Sequence, residues 1–148
     1  MNVKQDVCII YTDGGARGNP GPAAAGGVIA AADGTLVAEI SEYIGVATNN
    51  VAEYRALILT LRRAIDEGCR IVDVRMDSEL VVRQLEGKYR VKDAKMRPLH
   101  AAAVALLAQF ERADVRHVPR VENKVADKLV NAVLDAREDV MREARVGL

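Results

Sequence analysis

The sequence predicts an α/β domain on a mixed five-stranded sheet, three antiparallel strands then two parallel ones, flanked by helices. Three patterns carry that reading. Apolar runs broken by a glycine-rich turn and an Asp-Gly turn fill residues 5–44, as in an antiparallel meander. Val51, Tyr54, Ile58, Leu61 and Ile65 then recur at spacings of three and four, the apolar stripe of a helix laid on a core. Beyond them strand-like and helix-like segments alternate, which calls for parallel pairing through helical crossovers.

The elements follow in order. Residues 5–12 form a first strand, apolar enough at Val7-Cys8-Ile9-Ile10 to be buried on both faces. Asp13 should close it, because Gly14-Gly15-Ala16-Arg17-Gly18-Asn19-Pro20-Gly21-Pro22 reads as a turn. Ala23–Ala32 is a strand of small residues in which Gly26 and Gly27 permit close backbone approach. Asp33-Gly34 turns the chain into Thr35–Ile44. Thr48 or Asn49 caps the long helix and Gly68 stops it. Ile71–Met76 is a strand that ends at Asp77; Ser78–Leu85 is a short helix broken by Gly87. Pro98–Phe110 is a helix, Val115–Val118 a short strand, and Glu122 to about Arg137 a last helix with Val125, Leu129 and Val133 inward. A charged tail, Glu138–Leu148, which either extends the last helix or frays, completes the 148 residues, which are expected to form one domain with its core at about 5–137.

Composition narrows the function classes. Aromatics are only 3%, so Val, Ala, Leu and Ile must fill the core. Lys plus Arg equals Asp plus Glu at 21 each, so no global charge advertises nucleic acid, although a local stripe suffices to bind phosphates. Met1–Asp6 carries no long apolar segment and no run reaches membrane-spanning length, so the expectation is a cytoplasmic protein without signal peptide or membrane partner. Cys8 and Cys69 are accordingly expected as small apolar core residues in a reducing cell, not as a disulfide.

The chemistry lies in acids. An acid at the end of a buried strand needs a partner or a metal, because burying an unpaired charge is expensive. Adjacent parallel strands would bring Asp13 and Asp77 side by side at the sheet end where α/β proteins place their sites. Glu53 and Asp127 lie in the first turns of helices, where the dipole favours negative charge. Four carboxylates without His or Cys form an oxygen-only ligand set, suited to Mg²⁺ or Mn²⁺ and to two-metal phosphoryl transfer. Taken singly, Glu53 and Asp127 read as helix-start acids and Asp77-Ser78 as a cap. The glycines at 14, 15, 18 and 21 match no nucleotide-binding spacing, and a strand follows them where a phosphate cradle should open a helix.

Four segments in order then resemble type 1 ribonuclease H. They are Tyr11-Thr12-Asp13-Gly14-Gly15 with Gly18-Asn19-Pro20-Gly21-Pro22, Thr48-Asn49-Asn50-Val51-Ala52-Glu53, Met76-Asp77-Ser78, and Asn123-Lys124-Val125-Ala126-Asp127-Lys128-Leu129. The resemblance implies a ribonuclease H-like fold and an endonuclease that hydrolyses the RNA strand of RNA–DNA hybrids, leaving 5′-phosphate and 3′-hydroxyl ends. It implies two Mg²⁺ ions, replaceable by Mn²⁺, on Asp13, Glu53, Asp77 and Asp127, with Asp13 bridging them. It further implies hybrid contacts from Asn19, Asn49, Asn50 and Gln84, and a DNA-strand phosphate on Thr48. No obligate protein partner is implied. A non-catalytic hybrid binder gains nothing from clustered acids near phosphates, and a DNA nuclease has no need of the asparagines as 2′-hydroxyl readers.

The sequence departs from the family pattern in three places. The loop before the last acid, His117-Val118-Pro119-Arg120-Val121-Glu122-Asn123, is too short for the mobile histidine of many members, and His117 reads as a strand residue. Val46 stands where an arginine often serves the phosphate pocket. The basic helical protrusion of some bacterial members is replaced by a short loop carrying Lys88, Arg90, Lys92, Lys95 and Arg97.

Overall fold

The computed structural model describes residues 6–146. The chain runs β1 (Val7–Ala16), β2 (Gly21–Ala31), β3 (Leu36–Ala47), α1 (Asn49–Asp66), β4 (Ile71–Met76), α2 (Glu79–Leu85), α3 (Arg97–Leu107), β5 (Arg112–His117), a 3-10 turn (Arg120–Asn123) and α4 (Lys124–Val146). The sheet order is β3-β2-β1-β4-β5. β1 pairs antiparallel with β2 and β2 with β3, while β4 runs parallel to both β1 and β5. The five-stranded mixed sheet is that expected, and the order places the first and fourth strands side by side. The predicted strand start at Gln5 and the last tail residues, 147–148, lie outside the described residues.

Glycines decide how closely the helices approach. A Cβ on Gly27 would lie 2.0 Å from Thr60 Oγ1 of α1, and one on the neighbouring Gly26 would lie 2.6 Å from the Ala126 carbonyl oxygen of α4. Successive strand residues point to opposite faces, so α1 and α4 cover opposite sides of the sheet. On the α1 side, Cys8, Ile10, Val72, Val74, Leu57 and Leu61 form the main core with α2 and α3. Each such Leu or Ile contributes about 1.5–3 kcal/mol by leaving water. A smaller cluster on the α4 side joins Ala24 to Val130 and Leu134.

Several expectations require correction. β1 does not stop at Asp13; pairing with β2 continues to Ala16↔Ala23, and the turn shrinks to residues 17–20 because glycines are compatible with extended backbone. On the last helix Leu129 and Val133 are partly buried as expected, Val133 against the Ala24 cluster, but the buried stripe is Ala126, Val130 and Leu134, and Val125 is 55% exposed. The charged segment from Glu138 takes one of its two expected courses and extends the last helix, which runs through Val146. Thr48 settles the capping alternative: its side chain accepts from the Val51 N–H.

Cys8 and Cys69 are joined in a disulfide, contrary to the expectation of two thiols, with Cα atoms 5.9 Å apart. The register Cys8↔Val72 explains it, since the turn entering β4 then runs beside the start of β1. Sequence spacing carries no information on that register. Among the described residues no helix is long and apolar enough to cross a membrane.

Candidate active site

The register Thr12↔Met76 sets Asp77, the residue after β4, level with Asp13 of β1. Glu53 reaches the same point from α1. Gly14 makes this possible: a Cβ there would lie 2.1 Å from the Ala52 carbonyl oxygen, so only glycine lets the helix backbone sit so near the strand. The Gly14 N–H then donates to Glu53 Oε1 at 3.1 Å. Carboxylate oxygens of Asp13, Glu53 and Asp77 lie within 4.8 Å of one another. Asp127, in the first turn of α4, lines the same 450 Å³ pocket but stands outside that tight group. Arg120 approaches it, Nη2 to Asp127 Oδ1 at 3.8 Å.

Burial of like charges sets the electrostatics. Burial raises Asp13 from 3.8 to about 7; a hydrogen bond with Glu53 opposes the rise, and the charges of Asp77 and Asp127 add to it. Glu53 is raised well above its usual range, first by burial and then by the Asp13 charge. Asp77 is raised by burial, against a hydrogen bond from Asn123 and the positive charge of Arg120. Glu53 Oε2 is buried with no hydrogen-bond partner among the described residues, beside acids that cannot all ionise together. Protons or divalent cations are what such a cluster accepts, and the oxygen-only donor set fits Mg²⁺ or Mn²⁺.

The asparagines form a chain of bonds beside the acids. Asn19 Oδ1 accepts the Asn49 N–H at 3.0 Å, and Asn49 Oδ1 accepts the Ala16 N–H at 2.9 Å. Asn49 therefore secures the end of β1 rather than capping its own helix. Asn49 and Asn50 line the acidic pocket, whereas Asn19 is exposed at the turn. Gln84 is not brought to this site; it is 4% exposed, with Oε1 accepting the Tyr54 hydroxyl at 2.6 Å. His117 ends β5, exposed and outside the pocket lining.

Four site residues escaped singling out in the sequence. Asn123 is 1% exposed and donates from Nδ2 to the Thr12 carbonyl at 2.8 Å, tying the turn before α4 to β1. Arg17, Arg120 and Asn131 line the pocket. Asn123 opens the last matched segment and Arg17 lies between the two halves of the first, but arginines and asparagines carry no signal of their own without the fold.

Comparison with known proteins agrees with this geometry. The family profile described as "Reverse transcriptase-like" matches residues 11–133. The ribonuclease HI of Halobacterium salinarum is 47% identical over 125 residues, covering 84% of this chain and 63% of the relative. The chain belongs to the type 1 ribonuclease H family. Within that family it is 48% identical over 129 residues to the bifunctional protein Rv2228c of Mycobacterium tuberculosis, covering 86% of this chain. It spans only 35% of that mycobacterial relative's length. The solved N-terminal RNase H domain of Rv2228c superposes with a TM-score of 0.88 at 45% identity, over 92% of this chain and 99% of that one. LC11-RNase H1, solved in complex with an RNA/DNA hybrid, gives a TM-score of 0.83 at 45% identity, over 88% and 98% of the two chains.

Proposed function

We propose that this ribonuclease H-family chain is an endoribonuclease that hydrolyses the RNA strand of RNA–DNA hybrids. The observation that carries the reading is the Asp13–Glu53–Asp77 cluster, two of its acids buried and the third half-buried, with a Glu53 oxygen that has no partner among the described residues, beside Asn49 and Asn50. Asp13, Glu53, Asp77 and Asp127 would hold two Mg²⁺ ions, or Mn²⁺ in their place, which when bound activate the attacking water and stabilise charge on the departing 3′ oxygen. The water oxygen bonds to phosphorus as the P–O3′ bond breaks, leaving a 5′-phosphate and a 3′-hydroxyl. The protein positions the RNA phosphate and excludes other geometries.

Hybrid selection rests on the asparagines. Their acceptor oxygens at Asn19 and Asn49 are held internally, so their amide N–H groups remain to donate. A 2′-hydroxyl oxygen in the wide minor groove accepts such a bond, and DNA lacks it. Asn50 adds an amide beside them. Thr48 faces a separate hollow, lined also by Val46, Arg55 and Lys95, where the two cations supply the charge that valine does not. Gln84 serves as a buried support rather than a hybrid contact.

The test is cleavage of labelled RNA–DNA hybrid, double-stranded DNA and double-stranded RNA, in Mg²⁺, in Mn²⁺ and with chelator. Metal-dependent cutting of the hybrid RNA strand is expected. Absence of hybrid cleavage in both metals overturns the reading.

A further inference from the structure

We propose that Arg17 is a positioning residue that fixes Asp127 relative to the other three acids. Asp13 and Asp77 are set by strand register, and Glu53 by the Gly14 N–H. Asp127 is held less directly: it stands outside the tight carboxylate group, with its side chain 33% exposed. It reaches Asp13 by a side-chain hydrogen bond and Arg120 at 3.8 Å, and its helix is tied to β1 only at its start, through Asn123. Its place depends on how α4 lies on the sheet. The apolar contacts of Val130 and Leu134 hold that helix down but are non-directional, leaving rotation and axial slip to directional bonds.

Arg17 supplies them. Asp127, Asn131, Asp135 and Glu138 follow one another at spacings of three and four, so they form a single stripe along α4. From the turn between β1 and β2, Arg17 Nη2 reaches Asp135 Oδ1 at 2.7 Å and Asn131 Oδ1 at 3.3 Å, and Nη1 reaches Glu138 Oε1 at 2.8 Å. Asn131 Nδ2 donates onward to the Asp127 carbonyl at 3.1 Å. One exposed ion pair contributes little. A planar guanidinium holding three acceptors on one helix face is different, because its fork fixes direction as well as distance. The stripe that begins with a site acid is thus registered against the strand that carries Asp13.

The inference rests on the proposed nuclease reading only for its kinetic arm. The experiment compares wild type, Arg17→Ala and Arg17→Lys. Arg142→Ala is the control, because Arg142 pairs with Asp139 on the same helix. Hybrid cleavage, Mn²⁺ binding by calorimetry and amide hydrogen exchange over residues 124–131 are measured below every variant's melting range. Arg17→Ala should lower kcat about tenfold, short of the ~10²-fold that a 1 Å misplacement brings, with KM little changed. It should weaken Mn²⁺ binding and speed exchange at the start of α4, Arg17→Lys should fall between, and Arg142→Ala should match wild type. Wild-type kcat, Mn²⁺ isotherm and exchange in Arg17→Ala would overturn the proposal. If wild type cleaves no hybrid, the nuclease reading falls while the isotherm and exchange still judge Arg17.

Discussion

Replacing Gly14 by alanine would put a Cβ 2.1 Å from the Ala52 carbonyl oxygen, 2.2 Å from its carbon and 2.5 Å from the Glu53 nitrogen. Ordinary contact begins near 3.4 Å, so about 1 Å of movement is required. All three atoms are α1 backbone, so no side chain can rotate out of the way, and strand and helix must part. Overpacking of this kind costs about 1–3 kcal/mol, and the upper end applies when backbone must yield. For a chain of this length that is a melting temperature lower by about 6–12 °C. The same movement carries Glu53 away from Asp13 and loosens the Gly14–Glu53 bond, for which a loss of ~10²-fold in kcat is expected. Thermal melts and single-turnover hybrid cleavage, well below the variant's transition, measure the two effects separately. Gly27→Ala is the comparison, since it strikes Thr60 and not the Glu53 backbone; it should lose stability with a much smaller effect on cleavage. Wild-type melting and rate in Gly14→Ala would refute the packing argument, and a lowered melting temperature with an unchanged rate would refute its link to the site.

Other expectations follow from the same geometry. Asp13→Asn should reduce hybrid cleavage by at least about 10³-fold, on the scale of losing a principal electrostatic group, while His117→Ala retains most of it; comparable losses in steady-state assays would contradict this. In metal-free protein Asp13 is raised from 3.8 to about 7, so the native state binds more protons than the unfolded chain in that window. The stability this group contributes is therefore full below about pH 4 and is lost as pH rises through about 7. Melts of chelated wild type against Asp13→Asn across that range should show a larger fall in wild type, with Glu53 and Asp77 sustaining a smaller one in the variant, and Mg²⁺ should reverse the wild-type fall. Reducing the Cys8–Cys69 bond, whose partners are 61 residues apart, should cost about 4 kcal/mol by chain entropy; identical urea midpoints with and without reductant would refute it. Arg55→Ala with Lys95→Ala should raise KM, leave kcat unchanged and lower the salt slope of binding by about two; an unchanged slope excludes them from phosphate contact.

Much of this was legible before any coordinates. The acids were readable because each sits at a punctuation point: glycine after Asp13, a helix start at Glu53, a strand end before Asp77, and another helix start at Asp127. The long helix was readable from its stripe, although burial extends to Ala52, Ala56, Leu57 and Ala64 because sheet and α3 enclose α1 on two sides. Three things were not legible. Strand register, which brings Cys8 to Cys69, depends on pairing between distant segments. On α4, hydropathy does not separate Val125 from Ala126 as the residue facing the sheet; the close approach at Gly26 brings Ala126 inward and leaves Val125 exposed. Gln84 read as a hybrid contact because an amide on a helix near Asp77 can point either way; the Tyr54 hydroxyl draws it inward.

The disulfide also divides the site covalently. Residues 8–69 form a closed ring that contains Asp13 and Glu53, while Asp77 and Asp127 lie on the chain leaving it. The exposed Asp33-Gly34 turn is the kind of tip where proteases cut, and it lies inside the ring. A cut there would yield a nicked but still single molecule as long as the bond is intact. The segment bearing Asp13 then could not diffuse away from the one bearing Glu53, and each would remain at high effective concentration for the other. Reduction after such a cut would turn that tethered pair into two separate peptides.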